Sequence, residues 1–234
     1  MSLAVQKKSR WSLTHLQRFL FGAALIAAVL GFAAHAATPK PANAADIARL
    51  VNHHYNALHS LEVHFVQSYE GMGMHRHEAG VLLLRKPGKM RWTYTEPDGK
   101  LFILDGHDGY FYSPGESEAQ KVPQKQLDDL RSPLQFLLGH TELEKELKNL
   151  TVTTSGNGDS VLSGIPKGLE QRVASLKITA APDGTIRSMT IEETDGVTNR
   201  FEFSGEADNV PAPNSAFVFT PPPGVHVVMG MPPV

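Results

Sequence analysis

The chain has 234 residues and no cysteine. That absence excludes disulfide bonds, cysteine-ligated zinc and a cysteine nucleophile. It also excludes the lipid anchor of a bacterial lipoprotein, which is attached to a cysteine at the cleavage site. If the chain is exported and cleaved, we therefore expect it to be free in solution.

The common catalytic motifs are missing too. The sequence contains no G-x-S-x-G, P-loop or H-E-x-x-H pattern. His77-Glu78 begins like a zinc motif, but Val81 stands where the second histidine is required. Glu192 and Glu193 are neighbours on a predicted strand and point to opposite faces, so they do not form a catalytic carboxylate pair. We expect neither an enzyme nor a bound cofactor.

The N-terminus has the order of a secretory signal peptide. Residues 1–18 carry four basic and no acidic residues, and residues 19–34 are apolar or small. Ala34-His35-Ala36 then offers a small-residue cleavage site. The alternative is an uncleaved anchor, but this apolar run is short for a bilayer core of about 30 Å. The pattern predicts a signal peptide over residues 1–36 and export to the periplasm, with cleavage after Ala36 or Ala44.

Charge excludes one class of partner. The whole chain has a formal net charge of −2, and loss of the four basic residues with the signal peptide brings it to −6. A chain this acidic lacks the basic patch that nucleic acids and anionic membranes require. The rest of the chain has the size of one domain.

The remaining sequence alternates strand patterns with turn signals. A linker over residues 37–45 precedes a helix that we expect to begin near Asp46, and alternation at Val63 and Phe65 indicates the first strand. Asp-Gly pairs at 98–99, 105–106 and 183–184 are typical of hairpin turns. Short helices are predicted over residues 124–130 and 133–138. This order indicates a mainly β (α+β) protein with an antiparallel, strongly curved sheet.

The strand Val81 to Leu84 is apolar on both faces, so both faces must be covered. Aromatic residues recur on the strands that follow. They either fill a core or line an apolar cavity, and the pattern by itself favours the filled core.

Methionines and histidines cluster once, at Met72, Met74, His75 and His77. Thioethers with imidazoles suit copper, and Met229 and Met231 could join them in space. The alternative is a flexible hairpin loop with a chance enrichment, and we assign no metal site.

The segment Gly80 to Tyr94, Gly-Val-Leu-Leu-Leu-Arg-Lys-Pro-Gly-Lys-Met-Arg-Trp-Thr-Tyr, resembles the LolA family of periplasmic lipoprotein carriers. Further motifs follow in the family's order: Glu96-Pro97, Asp105-Gly106, Tyr110-Phe-Tyr112, Ser132-Pro133-Leu134 and Phe217-Val-Phe219-Thr-Pro221. The resemblance extends over about residues 45–228.

This resemblance implies an incomplete antiparallel β-barrel in which helices cover an apolar cavity. It implies one carrier domain over residues 46–228, a tail over 229–234, and a monomer. The cargo would be acylated lipoproteins, taken from an inner-membrane lipoprotein-releasing ABC transporter to an outer-membrane acceptor lipoprotein. A carrier of another amphiphile, such as a glycolipid, remains the alternative.

The resemblance also implies site residues. Those of the acyl cavity would be Phe65, Val81, Leu83, Met90, Trp92, Leu101, Ile103 and Tyr112. A lid would be formed by Leu134, Phe136, Leu137 and Leu138. Lys86, with Arg85 beside it, stands where the family has an arginine that bonds the closed lid, and lysine lacks the planar guanidinium fork.

Overall fold

A computed structural model describes residues 43–129 and 140–230 of the chain. The predicted signal peptide and the predicted lid residues Leu134, Phe136, Leu137 and Leu138 lie outside these ranges. None of the helices within them is long and apolar enough to cross a membrane.

The first helix, α1, spans Ala44–Ala57. Its N-cap is Asn43, whose side chain accepts a hydrogen bond from the Asp46 backbone N–H at 2.8 Å. The helix therefore begins before Asp46, because Asn is among the strongest N-cap residues and Asp46 fits the first turn, where a negative charge is favourable. Ala48, Val51 and Tyr55 form its buried side.

Twelve strands form one sheet. The strands are β1 Ser60–Gly71, β2 Met74–Arg85, β3 Lys89–Glu96, β4 Asp98–Leu104, β5 Asp108–Tyr112, β6 Glu118–Pro123, β7 Leu147–Thr154, β8 Ser160–Pro166, β9 Val173–Ala180, β10 Ile186–Glu193, β11 Thr198–Asp208 and β12 His226–Met229. Their order is β12-β6-β5-β4-β3-β2-β1-β11-β10-β9-β8-β7, and every pair is antiparallel except β12 with β6. The sheet is curved and unclosed, and the mainly β prediction is confirmed.

The other helices in the described ranges are short: α2 Gln124–Asp129, α3 Leu143–Glu146 and a 3-10 helix at Asn214–Phe217. The Asp-Gly turns are also found. Gly184, between β9 and β10, has a φ of +92°, and a Cβ there would lie 2.7 Å from the Leu50 carbonyl oxygen of α1. Glycine thus lets this turn pack directly on the helix.

One face of the sheet, here called the inner face, carries α1 and most of the apolar core. Tyr55 lies beside Leu61 and Leu82 on this face. Cross-strand pairing places Leu82 next to Trp92 and Leu84 next to Met90. The same core continues onto β8 to β11 through Leu162, Ile178, Met189 and Phe201.

The opposite or outer face of β2 to β5 is apolar as well, and the chain after β11 covers it. Phe217 is almost fully buried, Arg91 donates a hydrogen bond to the Ala216 carbonyl at 3.0 Å, and Phe219 stacks on Tyr110 at 5.3 Å. Both faces of the apolar strand Val81 to Leu84 are therefore covered, one of them by an irregular segment instead of a helix.

Candidate functional site

A group of aromatic rings lies at the centre of the inner face. Phe65 meets Trp92 edge-to-face at 4.6 Å and Tyr94 at 5.2 Å, and Trp92 meets Phe201 at 5.8 Å. Phe65 and Trp92 are both buried. Gly80 provides the room, because a Cβ there would lie 3.0 Å from the Phe65 ring and 2.2 Å from the Thr93 carbonyl oxygen. The rings form a broad apolar wall.

The end of helix α1 packs on the inner face through Tyr55. The pocket between them, lined by Tyr55, Leu61, Val63, Leu82 and Met189 among others, measures only about 10 Å³. That is at most the room of one water molecule. The space between Tyr55 and the strands beneath it is therefore closely packed.

Three of the eight predicted cavity residues, Phe65, Met90 and Trp92, share the inner face. The expectation for the other five is corrected, because the register places them on the outer face. They are Val81, Leu83, Leu101, Ile103 and Tyr112. Ile103 is fully buried there, on the side that the chain after β11 covers.

The physical reason for this correction lies in β2. This strand is apolar at four consecutive positions, so alternation alone cannot tell which pair faces the helix. The hairpin turn at residues 86–88 shows which of the two pairs shares a face with Trp92 and Met90. Arg85 pairs with Lys89 across this turn, so Leu84 must pair with Met90 and Leu82 with Trp92. Counting the pairs outward from the turn identifies Leu82 as the partner of Trp92 and Leu84 as the partner of Met90.

Lys86 contacts the last turn of α1. Its ammonium group donates a hydrogen bond to the Tyr55 carbonyl oxygen at 2.8 Å. Burial lowers the pKa of Lys86 from its usual value. A cation is favourable at a helix C-terminus, where carbonyls lack partners within the helix. The contact joins the β2–β3 turn to the helix that covers the apolar face.

Arg85 bonds to a different part of the chain. Its guanidinium donates to the Ala212 carbonyl at 2.6 Å and to the Asn214 side chain, and it lies over the Phe217 ring at 5.2 Å. Arg85 and Lys86 are neighbours on an extended chain and point to opposite sides of the sheet. Arg85 therefore fastens the segment that covers the outer face.

A second polar contact holds the same end of α1, and no local sequence pattern predicts it. The Tyr55 hydroxyl donates to Glu206 at 2.8 Å and accepts from the Ile186 backbone N–H at 3.0 Å. The other Glu206 oxygen lies 2.7 Å from His54 Nε2. Burial and the nearby Glu206 carboxylate raise the pKa of Tyr55 well above its usual value.

The segment that begins at residue 140 is hydrogen-bonded to Asn52 and Asn56 of α1. The Asn56 side chain donates to the Thr141 carbonyl at 2.9 Å and accepts from the Thr141 backbone N–H at 2.7 Å. Asn52 accepts from the Leu143 backbone N–H at 3.1 Å. Helices α1 and α3 are thus connected by amide side chains, so a displacement of one affects the other.

The far end of the inner face is polar. Lys100 forms an ion pair with Glu78 at 2.6 Å and lies over the Tyr94 ring at 4.4 Å. Arg76 lies over the Tyr69 ring at 4.5 Å. These residues and Gln67 line a pocket of about 100 Å³. Burial and the Glu78 charge raise the pKa of Tyr94 above its usual range. The inner face therefore changes from apolar under α1 to charged at the β1–β2 hairpin.

The methionine and histidine cluster is spread over this hairpin. Met72 is 73% exposed in the turn and Met74 is 45% exposed. On β2, His75 and His77 pair with Glu70 and Ser68 of β1. Their side chains point to the other face of the strand from Met74. The strand thus separates the thioether of Met74 from the two imidazoles.

Comparison with known proteins decides the family. The protein-family model described as "Outer membrane lipoprotein carrier protein LolA" matches residues 56–220 of this chain. The chain belongs to the LolA family. This family consists of carrier proteins, not enzymes, in agreement with the absence of catalytic motifs.

Relatives of this LolA-family chain carry the same description. The outer-membrane lipoprotein carrier protein of Nitrosospira multiformis is 31% identical over 152 residues, which cover 64% of this chain and 72% of that protein. The protein of the same description from Chromobacterium violaceum is 28% identical over 190 residues, which cover 81% of this chain and 90% of that protein. The structure of a LolA superfamily protein from Nitrosomonas europaea covers 76% of this chain and 98% of that one, at 11% identity and a TM-score of 0.42.

Proposed function

We propose that this LolA-family chain carries acylated lipoproteins through the periplasm by sheltering their acyl chains on the inner face of the sheet. It would receive them from a lipoprotein-releasing ABC transporter of the inner membrane and pass them to an acceptor lipoprotein of the outer membrane. The observation that carries the proposal is the apolar wall around Phe65 and Trp92 on the inner face.

The energies of opening and filling the site are comparable. Helix α1 and its C-cap bury Val51, Tyr55 and Leu58 against the sheet, and each such side chain contributes about 1.5–3 kcal/mol when buried. An acyl chain gains roughly 0.8 kcal/mol for each methylene that leaves water. About ten buried methylenes therefore offset the loss of these three apolar contacts, and the hydrogen bonds of α1 are lost in addition.

The polar attachments of α1 set how easily the site opens. Lys86 makes a single hydrogen bond to the Tyr55 carbonyl, whereas an arginine could offer up to five N–H donors. A weak attachment suits a carrier, because the carrier must release its cargo as well as bind it. The predicted lid residues Leu134, Phe136, Leu137 and Leu138 would complete the cover in this proposal.

A second cargo class is favoured by the polar end of the inner face. The pocket lined by Arg76, Glu78 and Lys100 adjoins the aromatic wall through Tyr94. An amphiphile with a polar head group, such as a glycolipid, would place its acyl chain under α1 and its head in this pocket.

The test is recovery of cargo from the periplasm. The full-length gene is expressed, the exported chain is purified without detergent, and bound lipids and acylated proteins are identified by mass spectrometry. Phe203→Glu places a charge on the inner face, and Tyr112→Glu places one on the outer face, both at half-buried positions. We expect acylated proteins with the wild type and with Tyr112→Glu, but not with Phe203→Glu.

Other results would change the conclusion. Glycolipid without acylated protein would establish the second cargo class. Equal recovery with both variants, while both remain folded by circular dichroism, would show that the inner face does not bind the cargo.

A further inference from the structure

A cluster of metal-ligating side chains lies at the end of α1, beside the apolar site. His54, Glu206 and Asp208 each direct one donor atom to the same place, and these atoms all lie within 4.8 Å of one another. His54 comes from the last turn of α1, whereas Glu206 and Asp208 are alternate residues of β11. The cluster therefore joins two elements that are far apart in the sequence.

Within the described ranges, His54 is the one basic side chain paired with the two carboxylates of this cluster. Two carboxylates lie close together, and like charges at this distance repel. In residues 43–129 and 140–230, no lysine or arginine forms an ion pair with Glu206 or Asp208. The Asp208 side chain makes no hydrogen bond within the same ranges and is exposed to solvent. A cation entering from solvent would relieve the repulsion and find donors already gathered.

We propose that His54, Glu206 and Asp208 form a binding site for a divalent transition-metal ion, with Zn²⁺ as the best match. Imidazole nitrogen and carboxylate oxygen are both ligand types that Zn²⁺ accepts, and water would take the fourth position. Ca²⁺ and Mg²⁺ prefer oxygen ligands alone, so the histidine selects against them.

The distances fit after a small adjustment. Ligand atoms around tetrahedral Zn²⁺, at bond lengths of about 2.0–2.2 Å, are roughly 3.4 Å apart. His54 Nε2 and Glu206 Oε1 are already 2.7 Å apart, so the ion would separate them slightly. The exposed Asp208 side chain has the freedom to move inward.

A metal at this site would bind α1 to β11 and keep the helix on the inner face. This consequence rests on the proposed carrier function, whereas metal binding itself does not. The ion would act as a clamp next to the Tyr55–Glu206 hydrogen bond, with occupancy set by the metal concentration around the protein.

The first experiment is titration of the untagged mature chain with ZnCl₂ by isothermal calorimetry, with CoCl₂ absorption spectra to report the ligand set. We expect one equivalent of Zn²⁺, a loss of affinity of at least tenfold in Asp208→Asn and in His54→Gln, and no comparable binding of Ca²⁺. Glu202→Gln is the matched control, because Glu202 is an exposed carboxylate on the same strand, paired with Arg200.

The β1–β2 hairpin is the competing zinc site, since His75 and His77 lie on one face of it. A double variant, His75→Gln with His77→Gln, should keep the wild-type affinity. If this variant loses the Zn²⁺ while Asp208→Asn retains it, or if the wild type binds no Zn²⁺ at micromolar concentration, the proposal is overturned.

A second measurement separates the site from the carrier function. Uptake of a fluorescent fatty acid is followed with and without Zn²⁺ in the wild type and in Asp208→Asn. We expect Zn²⁺ to slow uptake several-fold in the wild type only. Zn²⁺ binding without any uptake of fatty acid would contradict the carrier function but not the metal site. Equal slowing in both proteins would show that Zn²⁺ at this site does not hold α1 on the inner face.

Discussion

The ammonium nitrogen of Lys86 lies 2.8 Å from the carbonyl oxygen of Tyr55, and this contact ties the β2–β3 turn to the last turn of α1. This helix lies on the inner face of the sheet, with Tyr55 beside Leu61 and Leu82. Arg85, the preceding residue, bonds to the chain on the other face. Two adjacent basic residues therefore hold two different covers, one over each face.

Replacement of Lys86 should loosen α1. We expect Lys86→Met to increase amide hydrogen exchange over residues 44–57 several-fold, because the hydrogen bond to the helix end is lost. Lys86→Arg should retain or reduce the wild-type exchange, since a guanidinium can reach the same carbonyl with more donors. Lys89→Met serves as a control for loss of a charge near the same turn. Equal exchange in all three variants would rule out the contact as a holder of the helix.

Replacement of Arg85 should free the other cover. In Arg85→Met, residues 209–217 lose two hydrogen bonds and a ring contact from this side chain. We expect faster proteolysis in that segment, with exchange in α1 unchanged. Faster amide hydrogen exchange in α1 would instead show that Arg85 helps to hold this helix.

Removal of the Tyr55 hydroxyl should destabilise the protein. Tyr55→Phe leaves the buried Ile186 backbone N–H without its acceptor and removes a bond to Glu206. An unsatisfied buried donor costs about 1–3 kcal/mol, so urea unfolding should show a loss of that order. Glu206→Gln, which keeps an acceptor for the hydroxyl, should lose less. A Tyr55→Phe protein as stable as the wild type would contradict this assignment.

A methyl group at Gly80 should be poorly tolerated. Its Cβ would lie 2.2 Å from the Thr93 carbonyl oxygen, so the β2–β3 pair must shift. We expect Gly80→Ala to lower the free energy of unfolding by about 1–3 kcal/mol, as overpacking does. Gly156→Ala is the matched control, because nothing lies within 4 Å of a Cβ there. Similar thermal unfolding of the two variants would be evidence against the close packing at Gly80.

Stability should fall at alkaline pH through the buried tyrosines. The pKa of Tyr94 is raised in the folded protein above the usual 10.0, so the unfolded chain releases this proton first. The stabilising contribution is complete below about pH 10 and is lost as pH rises towards the folded-state pKa. The lowered pKa of Lys86 acts in the opposite direction in the same range. We therefore expect Tyr94→Phe to lose stability less steeply than the wild type between pH 9 and 11 in urea titrations.

The sequence by itself determined the class of the fold and several of its local features. The alternation at Val63 and Phe65, the helix before it and the Asp-Gly turns depend on nearby residues, and local patterns report them faithfully. The four consecutive apolar residues from Val81 to Leu84 likewise established that both faces of β2 are covered.

Which face of β2 is the inner one, and what holds α1 on that face, depend on the tertiary structure. Strand periodicity shows that Leu82 and Leu84 face together, but when both faces are apolar it does not show which is inside. The bonds of Tyr55 to Glu206 and Ile186 join residues more than a hundred positions apart. No local pattern encodes such contacts, because folding alone brings their partners together.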